Sequence, residues 1–152
     1  MDSQQFRRNV IREPLMSVAL YSQSAENLLF GIAAQESHLG KFVEQVGGGP
    51  ALGPYQNERG SFEDAVSFLN ENANKIFYGK CKKIVEGKSI HDLKTDFKLA
   101  TIIARLYVMR FPEPLPKPDD IDGMAVYWKK YWNTVNGKGT VEQFVENYKR
   151  FS

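Results

Sequence analysis

The sequence predicts a mainly helical protein of 152 residues, built as a single domain (residues 1–152) with one glycine-rich loop or short hairpin. Three observations predict it. Apolar residues recur at steps of three and four in several stretches, the spacing of a helix face turned to a core. Capping residues and prolines stand where those stretches begin and end. Glycine and proline gather between residues 40 and 60, and neither a repeat nor an interdomain linker interrupts the rest.

A first helix is expected from about Asp2 to Arg12, stopping at Glu13-Pro14 because a residue before proline resists helical geometry. Leu15 to Ser22 reads as a short further helical segment. Ser24 is a candidate N-cap for a helix through Ala25, Leu28, Leu29, Ile32, Ala33 and Glu36, with Gly40 as its stop. Residues 40–60 read as loop with at most a short hairpin. Ser61 with Asp64 resembles a capping box opening a helix to about Leu69. Another helix is expected around Ala73 to Glu86, broken near Gly79. Asp96 to Arg110 is the most apolar segment and the expected central helix, with Pro112 just beyond it. Pro112 to Pro118 is an extended, polyproline-like strap. Ile121 to Tyr131 reads as helical, and Thr140 with Gln143 caps a last helix to about Arg150.

Glu36 is the most informative residue. It sits in the last turn of an apolar helix, one and two turns below Ile32 and Leu29, on the stripe facing the core. Burial and the negative end of the helix dipole both disfavour an ionised carboxylate there, so both raise its pKa. A carboxyl still protonated near neutral pH can donate a proton to a leaving group, as a glycosidase general acid does.

Composition narrows the remaining classes. With 42% hydrophobic and 25% charged residues the chain is ordinary for a globular protein. A net charge of +2, spread along the chain, gives no ground for a nucleic-acid partner. Cys81 is the single cysteine, so neither an internal disulfide nor a thiolate cluster is expected, and His38 and His91 lack metal-ligand spacing. No metal and no cofactor is therefore expected. No apolar run approaches a membrane span. Met1 to Arg8 has no apolar stretch of the kind a secretory signal needs. The Gly137-Lys138 pair lacks the glycine a P-loop needs five residues earlier, where Trp132 stands. Gly47-Gly48-Gly49 reads as a flexible turn rather than a phosphate cradle.

Ala34-Gln35-Glu36-Ser37-His38-Leu39-Gly40, followed by Gly49-Pro50-Ala51-Leu52-Gly53-Pro54-Tyr55-Gln56, resembles the lysozyme-like lytic transglycosylases and goose-type lysozymes, especially their phage-encoded relatives. In that family a Glu-Ser pair closes a helix and a Gly-Leu-Met-Gln-like turn follows, here Gly53-Pro54-Tyr55-Gln56. A Tyr-Asn pair near the C-terminus is represented here by Trp132-Asn133, within Tyr127 to Thr134. Pro54 and Tyr55 depart from the family's leucine and methionine, and its Ala-Tyr-Asn-Ala-Gly string is absent. The resemblance runs from about Phe6 to Tyr148 and implies an α+β lysozyme-like fold. It implies cleavage of the bond between N-acetylmuramic acid and N-acetylglucosamine in peptidoglycan, with Glu36 as catalytic acid. Ser37, Tyr55, Gln56, Tyr131 and Asn133 are the expected substrate-binding residues. It also implies a phage protein that reaches the cell wall from the host cytoplasm or as part of a virion. Glycan strands are the expected partner of a monomer, with no nucleic acid and no membrane insertion.

Side chains around these motifs are divided between groove and core. Tyr127 and Trp128 are assigned to the core, Trp132 is left open between the two, and His38 is read as a loop residue. Hydrolysis requires a second carboxylate, about 6.5–9.5 Å away for inversion or about 5 Å for retention. Glu44, Glu58, Glu63 and Asp64 are the candidates, with Glu44 and Glu58 the better placed. A lytic transglycosylase needs only the acid, because the muramoyl 6-hydroxyl attacks in place of water, and a single-Glu mechanism is the expectation. The alternatives are a muramidase using Glu44 or Glu58, a non-catalytic virion or wall-binding module, and a chitinase-like hydrolase.

Overall fold

The computed structural model describes residues 1–152, folded into seven helices around one core. Helix α1 (residues 3–17) is continuous: α-helical at Ser3–Gln5, π-helical at Phe6–Arg12 and α-helical again at Glu13–Ser17. The stop expected at Pro14 does not occur. Proline has no N–H for the carbonyl of Val10, and its ring crowds that carbonyl. The helix widens instead, with the Glu13 N–H bonding the Arg8 carbonyl five residues back. The Val10 carbonyl turns to Thr101, whose Oγ1 donates to it at 2.6 Å. Thr101 has one proton, so the Tyr55 hydroxyl, 2.7 Å from Oγ1, must be the donor in the next link. The segment expected to be helical to Ser22 ends at Ser17 and turns through Ala19 at φ 61°.

Helix α2 (Gln23–Ser37) is capped by Ser22 rather than Ser24, the Ser22 hydroxyl accepting the Ala25 N–H at 3.1 Å. It ends before Gly40. His38 takes the left-handed conformation at φ 52°, and the Leu39 N–H reaches back to the Ala33 carbonyl, closing the last turn. At the other end Glu26 is fully buried and held by Arg7, Arg12 and Tyr21. Burial alone would raise its pKa, but hydrogen bonds from Arg12 and Tyr21 keep it below the usual carboxylate range.

The loop from 40 to 58 is pinned by two isolated antiparallel bridges, Glu44 to Leu52 and Leu52 to Asn57, and forms no regular hairpin. Its inner turn needs glycine at 53, where φ is 83° and a Cβ would press on the Leu93 carbonyl at 2.8 Å. Helix α3 (Arg59–Glu71) begins one turn earlier than expected, with Glu58 as N-cap. Ser61 therefore lies inside the helix and accepts the Glu58 N–H at 3.2 Å. Helix α4 (Ile76–Val85) starts three residues later than expected and passes through Gly79 without a break.

A short 3-10 turn (Ile90–Lys94) leads into α5 (Phe97–Met109), close to the expected bounds, with the Asp96 side chain accepting the Leu99 N–H as N-cap. It is the central helix, buried on nearly every side. The proline strap at 112–118 is non-helical. Helix α6 runs as α-helix at Ile121–Tyr127 and as π-helix at Trp128–Asn133, two residues past the expected end. Helix α7 (Val141–Phe151) starts at the Thr140–Gln143 capping box. No helix is long and apolar enough to cross a membrane.

Helices α2 and α7 pack most extensively. They approach closely because residue 31 has no side chain: a Cβ there would collide with the Phe144 ring and lie 2.9 Å from Tyr148. The hydroxyl of Ser3 bonds the Phe151 carbonyl and joins the two ends of the chain.

Gly31→Ala is expected to lower stability by about 1–3 kcal/mol despite alanine's better helix propensity, since fully buried Phe144 must move. Thr101→Val is expected to cost about 1–3 kcal/mol by orphaning the Val10 carbonyl and the Tyr55 hydroxyl together. Urea unfolding followed by circular dichroism measures both.

Candidate functional site

Glu36 lies on the last turn of α2, where the apolar stripe meets an open cleft. The cleft encloses about 440 Å³ between the 40–58 loop and the end of α6, with Glu36, Phe42, Gln56, Glu58, Trp132 and Asn133 on its walls. It continues past Gln56, Glu58 and Trp132 into a second hollow of about 440 Å³ bounded by Tyr107 and Asp64. From Asp64 it reaches a third of about 420 Å³ beside Arg110. Helix α3 lines the second and third hollows, and its N-cap Glu58 lines the first.

The Glu36 carboxyl is only partly reached by solvent. Burial pushes its pKa up to about 7, against the opposing effect of one hydrogen bond. That bond comes from Trp128, whose indole Nε1 donates to Glu36 Oε1 at 2.9 Å. Trp128 itself is fully buried, tilted against Phe144 at 5.4 Å between ring centroids. The ring thus presents its one polar atom to the carboxyl and its apolar body to the core. The core assignment of Trp128 is correct for its ring and omits this contact. A buried indole N–H needs an acceptor, and that requirement was the available signal.

Gln56 sits at φ 51° in the turn, and its Nε2 donates to the carbonyls of Gly53 at 2.9 Å and Phe42 at 3.2 Å. With the nitrogen so engaged, Oε1 is the atom it has to offer as an acceptor. Asn133 is held the other way round: its Oδ1 accepts from Lys129 Nζ at 2.6 Å, leaving the Nδ2 hydrogens as donors. Trp132, left open by the sequence, lines the first two hollows with its ring edge-on to Tyr107 at 5.3 Å.

Three expected substrate contacts are displaced. Ser37 is buried; its hydroxyl lies 2.6 Å from the Pro54 carbonyl and accepts the Gly40 N–H, tying the 53–56 turn to the end of α2. Tyr55 is wholly in the core, where an aromatic ring gains most from burial and its hydroxyl is satisfied by Thr101. Tyr131 turns to the proline strap, stacked on Phe111 at 4.3 Å and donating to Glu113 at 3.0 Å.

The candidate carboxylates also separate. Glu58 borders the first two hollows, whereas the Glu44 side chain is largely in solvent, 3.9 Å from Lys94. Asp64 borders the second and third hollows, 3.5 Å from Arg110. His38 packs against Phe151 and Phe42 at the end of α2, and burial lowers its pKa. No three His, Cys, Asp or Glu side chains converge into a metal-ligand set. No family model, curated protein or solved structure matches the chain.

Titration of the Glu36 side-chain carboxyl by carbon NMR is expected to give an apparent pKa near 7. Trp128→Phe keeps the ring packing but removes a donor that favours the ionised form, so the midpoint is expected to move up. Protonated Glu36 is favoured in the fold, so stability should decline as pH rises from the ordinary glutamate range through about 7. Glu36→Gln should remove that decline. It should be near neutral for stability at pH 4 and stabilising at pH 8, on the order of 3 kcal/mol in thermal melts.

Proposed function

We propose that the protein cleaves the β-1,4 bond between N-acetylmuramic acid and N-acetylglucosamine in bacterial peptidoglycan, as a lytic transglycosylase with a lysozyme-like fold. One observation carries the reading: a carboxyl with a pKa near 7 stands at the wall of a polar, open cleft that shares lining residues with a second hollow beside it. Near neutral pH such a group exists in both protonation states and can give a proton and take it back.

Glu36 protonates the glycosidic oxygen as the bond from C1 of the muramoyl residue breaks. The 6-hydroxyl of that residue attacks C1, and its proton returns to Glu36. The product is a 1,6-anhydromuramoyl end, and the carboxyl is ready for the next bond. Trp128 Nε1 stabilises the anion between the two transfers. The Gln56 acceptor and Asn133 donors suit the hydroxyl and acetamido groups of an amino sugar, and Trp132 offers a ring for a pyranose face. The resemblance to phage-encoded relatives at Glu36-Ser37 and Gly53 to Gln56 supports the same substrate. It also supports a phage protein that acts on the host wall.

A second reading has its own observation. Glu58 shares the groove with Glu36, so it is the residue that would activate water if the enzyme were a muramidase. Glu44, its side chain largely in solvent near Lys94, does not line the cleft and is the weaker candidate for that role.

Clearing of purified peptidoglycan by wild type is expected, with a loss of about 10²–10⁴-fold in Glu36→Gln. Equal clearing by the two proteins would exclude Glu36 as the acid, and no clearing by either would favour a binding module. Activity should fall on the alkaline side through about pH 7 as Glu36 loses its proton. Mass spectrometry of the digest should show anhydro-muropeptides about 18 Da lighter than hydrolysed ones, with Glu58→Gln still active. Reducing muramic acid ends together with an inactive Glu58→Gln would establish the hydrolase.

A further inference from the structure

Asn133 and the loop after it form the groove wall facing the 40–58 loop, and this wall is under strain. Thr134 is a β-branched residue at φ 66° and ψ 170°, a region open almost only to glycine. Such a conformation persists only where its surroundings impose it. Here they centre on one side chain. Lys129 Nζ donates to Asn133 Oδ1 at 2.6 Å, to the Gly139 carbonyl at 2.8 Å and to the Gly137 carbonyl at 3.0 Å, so all three ammonium hydrogens are used. The Lys129 carbonyl also accepts the Thr134 N–H at 2.8 Å. No carboxylate pairs with this lysine, so its charge is met by the loop's own oxygens.

Two consequences reach the groove. An ammonium only donates, so it fixes the Asn133 amide in one orientation, oxygen toward Lys129 and nitrogen free. The clamp also seats Gly139 against the indole of Trp128, so closely that a Cβ at 139 would collide with the ring. That indole is the donor to Glu36.

We propose that Lys129 is a positioning residue for the groove: it locks the strained 134–139 loop and sets Asn133 as an obligate hydrogen-bond donor to the glycan. It touches neither substrate nor reacting atoms and works through Asn133. The assignment rests on the glycan-cleaving reading above and specifies how one wall of that site is made selective for a group that accepts, such as an acetamido carbonyl.

The test measures two quantities in a Glu36→Gln background, which prevents turnover: affinity for triacetylchitotriose, and amide hydrogen exchange of residues 134–139. Lys129→Met is expected to speed exchange in the loop and to weaken the trisaccharide about tenfold or more. Asn133→Asp keeps the oxygen for Lys129 but loses the donor, so it should weaken binding by a similar factor while exchange stays slow. The double variant should bind no more weakly than the weaker single variant, because both remove the same donor. With Glu36 restored, Lys129→Met should raise KM for soluble glycan strands more than it lowers kcat. Unchanged trisaccharide affinity in Lys129→Met, or additive losses in the double variant, would overturn the assignment. If wild type still cleaves peptidoglycan in that case, only the role of Lys129 is lost. A wild type that neither binds nor cleaves glycan overturns the underlying reading with it.

Discussion

Gly31 is the point through which the rest of the molecule is organised. Without a side chain there, α2 and α7 approach until Phe144 lies on the helix backbone, and no residue with a Cβ permits that approach unless the ring moves. Phe144 in turn supports Trp128, which becomes the buried ring with a single polar exit at Nε1. The exit points to Glu36, one and a half turns beyond Gly31 on the same helix. One close backbone contact therefore determines what surrounds the carboxyl five residues away.

A second set of interactions attaches the other groove wall to the core. Pro14 deprives the Val10 carbonyl of its helical partner, Thr101 supplies another, and the Tyr55 hydroxyl completes the chain. Each member is buried and each proton has one destination, so the 53–56 turn is anchored through Tyr55 to α5 and through Ser37 to α2. The reward for burying Tyr55 is rigidity at its neighbour. Gln56 is held at positive φ with its amide nitrogen bonded to two carbonyls, facing Asn133 across the cleft.

The two walls are built on different principles. The 40–58 wall is secured by bonds that run into the core, whereas the 133–139 wall is secured by one ammonium against its own strain. The surroundings of Glu36 depend on both, since the indole that donates to it is packed against Gly139 of the second wall and the cleft it borders is lined by the first. The asymmetry is one of support: one side is tied to two core helices, the other to a single lysine.

Local features of the chain were legible because they depend on near neighbours. The apolar stripe ending at Glu36, the Asp96 start of the central helix, the Thr140–Gln143 capping box and the extended proline strap all follow from spacing, capping and proline stereochemistry. The protonatable character of Glu36 was legible for the same reason, as an acid on a stripe that must be buried. Errors arose where a distant residue changed the local balance. Pro14 does not stop α1, because Thr101, 91 positions from Val10, takes the freed carbonyl. Ser37, Tyr55 and Tyr131 left the groove because packing and hydrogen-bond partners elsewhere satisfy them better than solvent would. Sequence spacing thus determined which residues share a helix face and which end it caps. Only the tertiary structure decided which of those faces meet, and with that the partners of Glu36, because burial and hydrogen bonding between distant segments are properties of the assembled core.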